Sequence, residues 1–295
     1  MFPGDSIWNT PVDGLPVDPR SDDYVASIGA DAPLKADFGP ALYEGAPIGI
    51  PYVVVPADQP MVAIHFVPFG DETEAAAEES DAGPYPVPAD APIEGGPEGT
   101  GDRHVLLVQE RSCTLYELYK AAPNADGSWN AMSSARFDLE GHELRPDGWT
   151  SADAAGLPIF PGLVRHEEVA SGEIGHALRF TAPRTGRAYV WPARHFASPS
   201  DDPALPPMGQ RFRLKASVDI GRFSPENQVI LRALQTYGMI LADNGSAWFV
   251  SGAPDDAWDD DALNAELRQL VGSDFEAVDA SSLMREADSA EAAVP

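Results

Sequence analysis

Most apolar runs in this chain are cut off by proline or glycine within a few residues, a pattern that favours short strands over helices. Tyr52-Val53-Val54-Val55 and Met61-Val62-Ala63-Ile64-His65-Phe66 are such runs, both bounded by prolines. Pro84, Pro86, Pro88, Pro92 and Pro97 then impose an extended, loop-like passage from Gly83 to Gly101 that closes on Glu94-Gly95-Gly96, because proline fixes φ and removes a backbone donor. Residues 104–108 and 114–119 flank a short polar link and predict a hairpin. Further strands are expected at 135–139, 177–181, 188–191 and 210–214, the last alternating at period two through Arg211-Phe212-Arg213-Leu214.

Helix signals are few. Ser224 as N-cap, Pro225 in the first turn and the stripe Val229, Ile230, Ala233, Leu234 and Tyr237 predict a helix that Gly238 stops. Strands at 239–242 and 248–250 are expected about Asp243-Asn244-Gly245, a turn signal. A second helix is expected over about 260–270, ended by Gly272, and a short one around 165–171, closed by Gly172. The sum is a single mainly β domain over residues 1–284, an antiparallel sandwich or jelly-roll-like core with a few helices toward the C-terminus. A disordered acidic tail is expected at 285–295.

The formal charge is −28 over 295 residues, with a pI near 4.3. That balance argues against nucleic acid or an anionic membrane as the main partner, since both need basic faces. No apolar run approaches the ~18 residues of a membrane span. The lone Cys113 excludes an internal disulfide framework. Against this acidity stands an island from Pro161 to Lys215, with seven arginines, one lysine and three histidines beside five acids. Such an island is either a packed ion-pair network or a site that holds an anion.

Three constellations carry chemistry. Gly101-Asp102-Arg103-His104 follows Glu94-Gly95-Gly96; on a strand Asp102 and His104 would share a face, and a carboxylate beside an imidazole can orient a general base. The alternative is an Asp–Arg link with a buried histidine. Next, Trp149-Thr150-Ser151-Ala152-Asp153 precedes Arg165-His166-Glu167-Glu168, Glu173 and His176. A zinc-protease reading of His166-Glu167 fails because Ala170 stands where a second histidine is needed, four residues on. Finally, Trp191-Pro192-Ala193-Arg194-His195-Phe196 sets a polar pair between aromatics. Trp149 and Trp191 could stack on sugar faces, while Arg165, Arg194 and His195 beside His176 would hold an anion. Asp243-Asn244-Gly245 reads as a turn only. The sequence requires no cofactor; calcium is compatible with so acidic a surface, without a nameable site.

Taken together, several stretches resemble a family of secreted bacterial proteins. They are Gly83-Pro84-Tyr85-Pro86 with 91–96; Gly101-Asp102-Arg103-His104-Val105; 148–158; 172–180; and 237–245, and the likeness runs from Phe2 to about Met284. It departs at Asp71 to Asp81, which is longer and more acidic. Members are joined to carbohydrate-associated modules, so the resemblance implies work on polysaccharide; it supplies no catalytic residue. Met1 is read as replacing a removed signal peptide, which sets the protein outside the cell.

The expected activity is that of an extracellular glycoside hydrolase using paired carboxylates. Asp102 with Asp153 or Glu94 is the expected pair, with His104 and His176 tuning protonation and Trp149, Arg165, Trp191, Arg194 and His195 holding substrate. Two alternatives stand beside it. One is a uronate-polysaccharide lyase using His104 or His176 as base, and the other a carbohydrate-binding or surface module without turnover.

Overall fold

A computed structural model describes residues 2–43, 45–70 and 74–293. The architecture is mainly β, as the short apolar runs imply. Its largest sheet has six strands in the order Lys35–Asp37, Phe249–Ser251, Leu178–Ala182, Met239–Asn244, Arg211–Leu214, Phe275–Val278. A four-stranded sheet joins Ser133–Asp138, Thr114–Tyr119, Val105–Gln109 and Tyr52–Val55, and two smaller sheets complete the set. Pairing is mixed and not uniformly antiparallel: Lys35–Asp37 runs parallel to Phe249–Ser251, and Tyr52–Val55 parallel to Val105–Gln109. No helix among the described residues is long and apolar enough to cross a membrane.

The expected hairpin forms, as Val105–Gln109 pairs antiparallel with Thr114–Tyr119. So do the helices at Pro225–Thr236, Asp260–Leu267 and His166–Ser171. Gly172 ends the last of these at φ 91°, the left-handed C-terminal geometry glycine adopts most readily. Ser224 precedes the Pro225–Thr236 helix but its hydroxyl caps nothing. Glu266 does that work instead: its Oε2 accepts from Ser224 N and Asn227 Nδ2, both at 2.8 Å, tying this helix to the next.

Three expectations are corrected. A helix at Ser21–Ile28 lies near the N-terminus, so the helices are not confined to the C-terminal part. The strands either side of Asp243-Asn244-Gly245 do not form a hairpin; Leu178–Ala182 lies between them, parallel to one and antiparallel to the other. The local turn signal is overridden by long-range pairing, which buries Leu178, Phe180 and Ala182 fully between the two flanking strands. Nor is the C-terminal segment a disordered tail, as far as residue 293. Glu291 bridges Ser6, Ser289 bridges Glu143 and Ala292 bridges Met284, while Ala290 and Ala292 are buried.

Three apolar clusters fill the interior. The largest packs both faces of the six-stranded sheet, with Trp8, Phe180, Phe212, Trp248 and Phe275 at its centre. A second lies on one face of the four-stranded sheet around Tyr85, Val105, Leu107, Tyr116 and Trp129. The third, around Leu106, Leu115, Phe137, Ile159 and Phe160, lies on that sheet's other face.

Candidate functional site

Where the loop 151–164 covers the six-stranded sheet, one buried arginine organises the charge. Arg179 sits in the apolar strand Leu178–Ala182 and is 4 % exposed. Its Nε and Nη2 donate to the two carboxylate oxygens of Asp153 at 2.7 Å each, and Nη1 donates to Ser251 Oγ at 2.6 Å. This is the bidentate geometry in which arginine and carboxylate bind best. A guanidinium in an apolar strand has to be paired, and Asp153 pairs it.

Asp243 joins the group through a strand irregularity. In register, Arg179 faces Ile240 and Phe180 faces Leu241, but Thr181 then faces Asp243, so Ala242 is extra. That bulge turns Asp243 to the Arg179 face, where unbroken alternation would have sent it to the core. The Ala242 carbonyl is taken up by Ala155 N at 2.9 Å. Asp243 Oδ2 lies 3.4 Å from Arg179 Nη2 and its side chain keeps 26 % exposure. Burial first, and the Asp153 charge second, push its carboxyl up to about 7 against the pull of Arg179.

On the other side stand Glu94, Asp102 and His104, whose ligand-type atoms lie within 4.8 Å of one another. His104 is buried, with Nε2 at 3.0 Å from the Ala152 carbonyl and Nδ1 at 2.6 Å from Glu94 Oε2. A carbonyl only accepts, so Nε2 carries a proton. Although burial opposes charge on both groups, their mutual attraction raises His104 to about 9 and holds Glu94 below the usual carboxylate range. The pair is therefore imidazolium and carboxylate at neutral pH. Asp102 is more open, 3.8 Å from Lys120 Nζ, and its charge acts on both His104 and Asp243. Asp37, at the end of its strand opposite Ser251, is pushed up by the surrounding protein and by Glu94, against the pull of Lys35.

Arg103 holds this segment in place. It takes a left-handed φ of 52° and sends its buried side chain to the carbonyls of Ala121, Pro97 and Gly99. Arg103 bonds to backbone carbonyls and not to Asp102. A cleft of 290 Å³ opens beside the cluster, lined by Asp153, Asp243, Tyr119, Thr150, His195 and Glu74 among others. A wider apolar groove of 410 Å³ lies on the other side of the Glu94 loop, lined by Pro92, Ile93, Gly95, Pro97 and Trp129.

Of the expected residues, Glu94, Asp102 and His104 come together, with His104 bonded to the Ala152 carbonyl next to Asp153. Asp153 and His195 line the cleft, His195 with Nδ1 on the Ala154 carbonyl at 2.8 Å. The others belong to separate networks. His176 is buried, 3.2 Å from Glu168 Oε2 and from Arg165 Nη2. Arg165 also donates to the Phe160 carbonyl. Arg194 is buried and bonded to Asp288 and the carbonyls of Arg145 and Ala287. The expected anion-holding patch of Arg165, Arg194, His176 and His195 is therefore replaced by two ion-pair clusters, as the local acids permit. Trp149 lies half-buried beneath the Arg145 guanidinium, 5.5 Å from its ring centre, and Trp191 donates Nε1 to the Ser289 carbonyl at 2.8 Å.

Sequence reasoning missed Arg179, Asp243 and Asp37. An arginine inside the apolar run Ala177-Leu178-Arg179-Phe180 was a readable signal for a buried counter-ion. Asp243 was disguised as a turn residue, because the bulge that re-aims it depends on pairing. For a divalent cation, Glu94 and Asp102 offer the oxygen ligands that a hard ion prefers, while His104 has Nδ1 bonded to Glu94 itself and Nε2 to the Ala152 carbonyl. No family model, curated protein or solved structure matches the chain.

Proposed function

We propose that this protein is an extracellular carbohydrate-active enzyme, a glycoside hydrolase in which Asp243 is the general acid and Glu94 the ionised partner. One contrast carries the reading: two carboxyls that both feel the Arg179 charge, Asp243 3.4 Å from it and Glu94 through the field, have proton affinities driven in opposite directions. Asp243 is pushed up to about 7, and Glu94 is held low by the His104 imidazolium. Glycosidic cleavage needs one carboxyl that still holds a proton to release to the leaving oxygen. It also needs one carboxylate that attacks the sugar or activates water. Asp153 is less suited to either role, since its side chain is fully buried and both its oxygens are taken by Arg179. Asp102 replaces it as the accessible third carboxylate, steering charge at the cleft.

The character of the cleft supports a neutral glycan over a uronate. Beside the protonated Asp243, the cleft is lined by Asp153 and Glu74 with no lysine or arginine among its described lining residues, so a further carboxylate on the substrate would meet no cation to receive it. A lyase reading is less supported on either expected base, because His104 holds both its protons in hydrogen bonds to Glu94 and Ala152 and His176 is buried in the separate Glu168 network. The resemblance to secreted, carbohydrate-associated proteins agrees with this reading. The test is a panel of polysaccharides assayed for new reducing ends and for ultraviolet absorbance together. New reducing ends without absorbance are expected from neutral glycans. A rise in absorbance on uronate polymers would instead establish elimination, and saturable glycan binding with no product would establish a binding module.

A further inference from the structure

Among the described residues, the basic island contains one buried arginine that the ion-pair networks do not absorb. Arg211, on the strand Arg211–Leu214, is 3 % exposed. Its Nη2 donates to the carbonyls of Ile7 at 2.9 Å and Thr10 at 3.3 Å. Its Nε and Nη1 are buried and have no hydrogen-bond partner. The other buried arginines are treated differently. Arg145, Arg165, Arg179 and Arg194 each reach a carboxylate, and Arg103 is wrapped in carbonyls. No acid shares Arg211, and burial alone acts on it, lowering its proton affinity to about 9.

Arg211 also lines a pocket of 260 Å³, distinct from the acidic cleft, together with Trp191, Gln210, Val278, Ala280 and Met284. Asp18 and Asp279 line it too, but each is turned to local backbone: Asp18 accepts from Arg20 N at 2.8 Å and Asp279 from Ser281 N at 2.9 Å. The remaining lining is largely apolar. A buried guanidinium without a carboxylate partner beside an apolar pocket is the arrangement that captures an anion, since the ligand supplies the missing counter-charge.

We infer that this pocket is a binding site for a small carboxylate that supplies the counter-charge to the Arg211 guanidinium and whose apolar body packs against Trp191, Val278 and Met284. It is independent of the hydrolase reading, since it shares no residue with the Arg179 cluster.

The probe is benzoate, titrated against thermal unfolding with sodium chloride adjusted to hold ionic strength constant. Binding to the native state alone gives a saturable rise in Tm. The wild-type protein should show that rise, and Arg211→Met should weaken half-saturation about tenfold or more, as expected for loss of a charge-assisted partner. Ala280→Phe keeps the guanidinium but fills the pocket, and it should abolish the rise even if Arg211→Met fails to fold. Asp243→Asn, in the separate cleft, should leave the rise intact. No saturable rise in the wild type, or a rise that survives Ala280→Phe, would overturn the proposal.

Discussion

Arg179 places a fixed positive charge where Asp153, Asp243 and Glu94 can all feel it, and the proposed acid–base chemistry depends on that placement. Removing one partner of a buried, hydrogen-bonded ion pair leaves the other uncompensated and costs about 3–5 kcal/mol. Arg179→Met is therefore expected to lower the unfolding free energy by about that amount, read from denaturant melts. Asp153→Asn should do nearly the same. The double variant should cost less than the sum, because the two side chains act as one unit. In the proposed hydrolase, the pH dependence of turnover follows from Asp243 and Glu94. Glu94 must be ionised and Asp243 protonated, so kcat/KM should be flat in mildly acidic solution and fall as pH rises past about 7. A profile that keeps rising above pH 8 would contradict the assignment of Asp243.

Individual elements matter through what they aim and what they exclude. The Phe160–Gly162 turn is hung on Glu117, a fully buried carboxylate that accepts from Ile159 N and Phe160 N at 2.9 Å and is pushed up to about 7 by burial. Glu117→Ala strands two buried N–H groups, each worth about 1–3 kcal/mol, and is expected to lower Tm sharply. Gly162 closes the same turn against the site: an added Cβ would lie 2.9 Å from both Arg179 Cβ and Trp8 Cζ3. Gly162→Ala should therefore perturb stability and the Arg179 environment together, which calorimetry and activity would report side by side.

This scale is also where the sequence was readable and where it failed. The 104–108 and 114–119 runs, the Ser224-Pro225 helix start and the Gly172 stop were visible, because each depends on neighbours within a few residues. Glu94, Asp102 and His104 were legible for the same reason, lying within one loop and the start of a strand. Insertion of Leu178–Ala182 between the strands flanking Asp243, and the bulge at Ala242, depend on pairing across 60 or so residues. Those long-range choices hid Arg179 and Asp243.

The whole molecule carries −28 charges and several groups whose folded proton affinity is raised. Asp243 and Glu117 rise to about 7 from carboxylate values near 4, and His104 to about 9 from 6.5. Over those windows the native state holds more protons than the unfolded chain. Their contribution to stability is thus complete below the unfolded values and lost as pH climbs through the folded ones. Glu94 and Glu168 are lowered and work the other way, losing their contribution as pH falls below the carboxylate range. Tm should therefore be higher near about pH 5.5 than near about pH 9; a rising trend between them would contradict the charge assignments. The central claim is tested most directly by reducing-end release from a panel of neutral glycans, comparing the wild-type protein with Asp243→Asn and Glu94→Gln, each checked for native circular dichroism. The account predicts turnover of at least one glycan by the wild type and a loss of at least about 10²-fold in both variants; wild-type rates in either folded variant would contradict it.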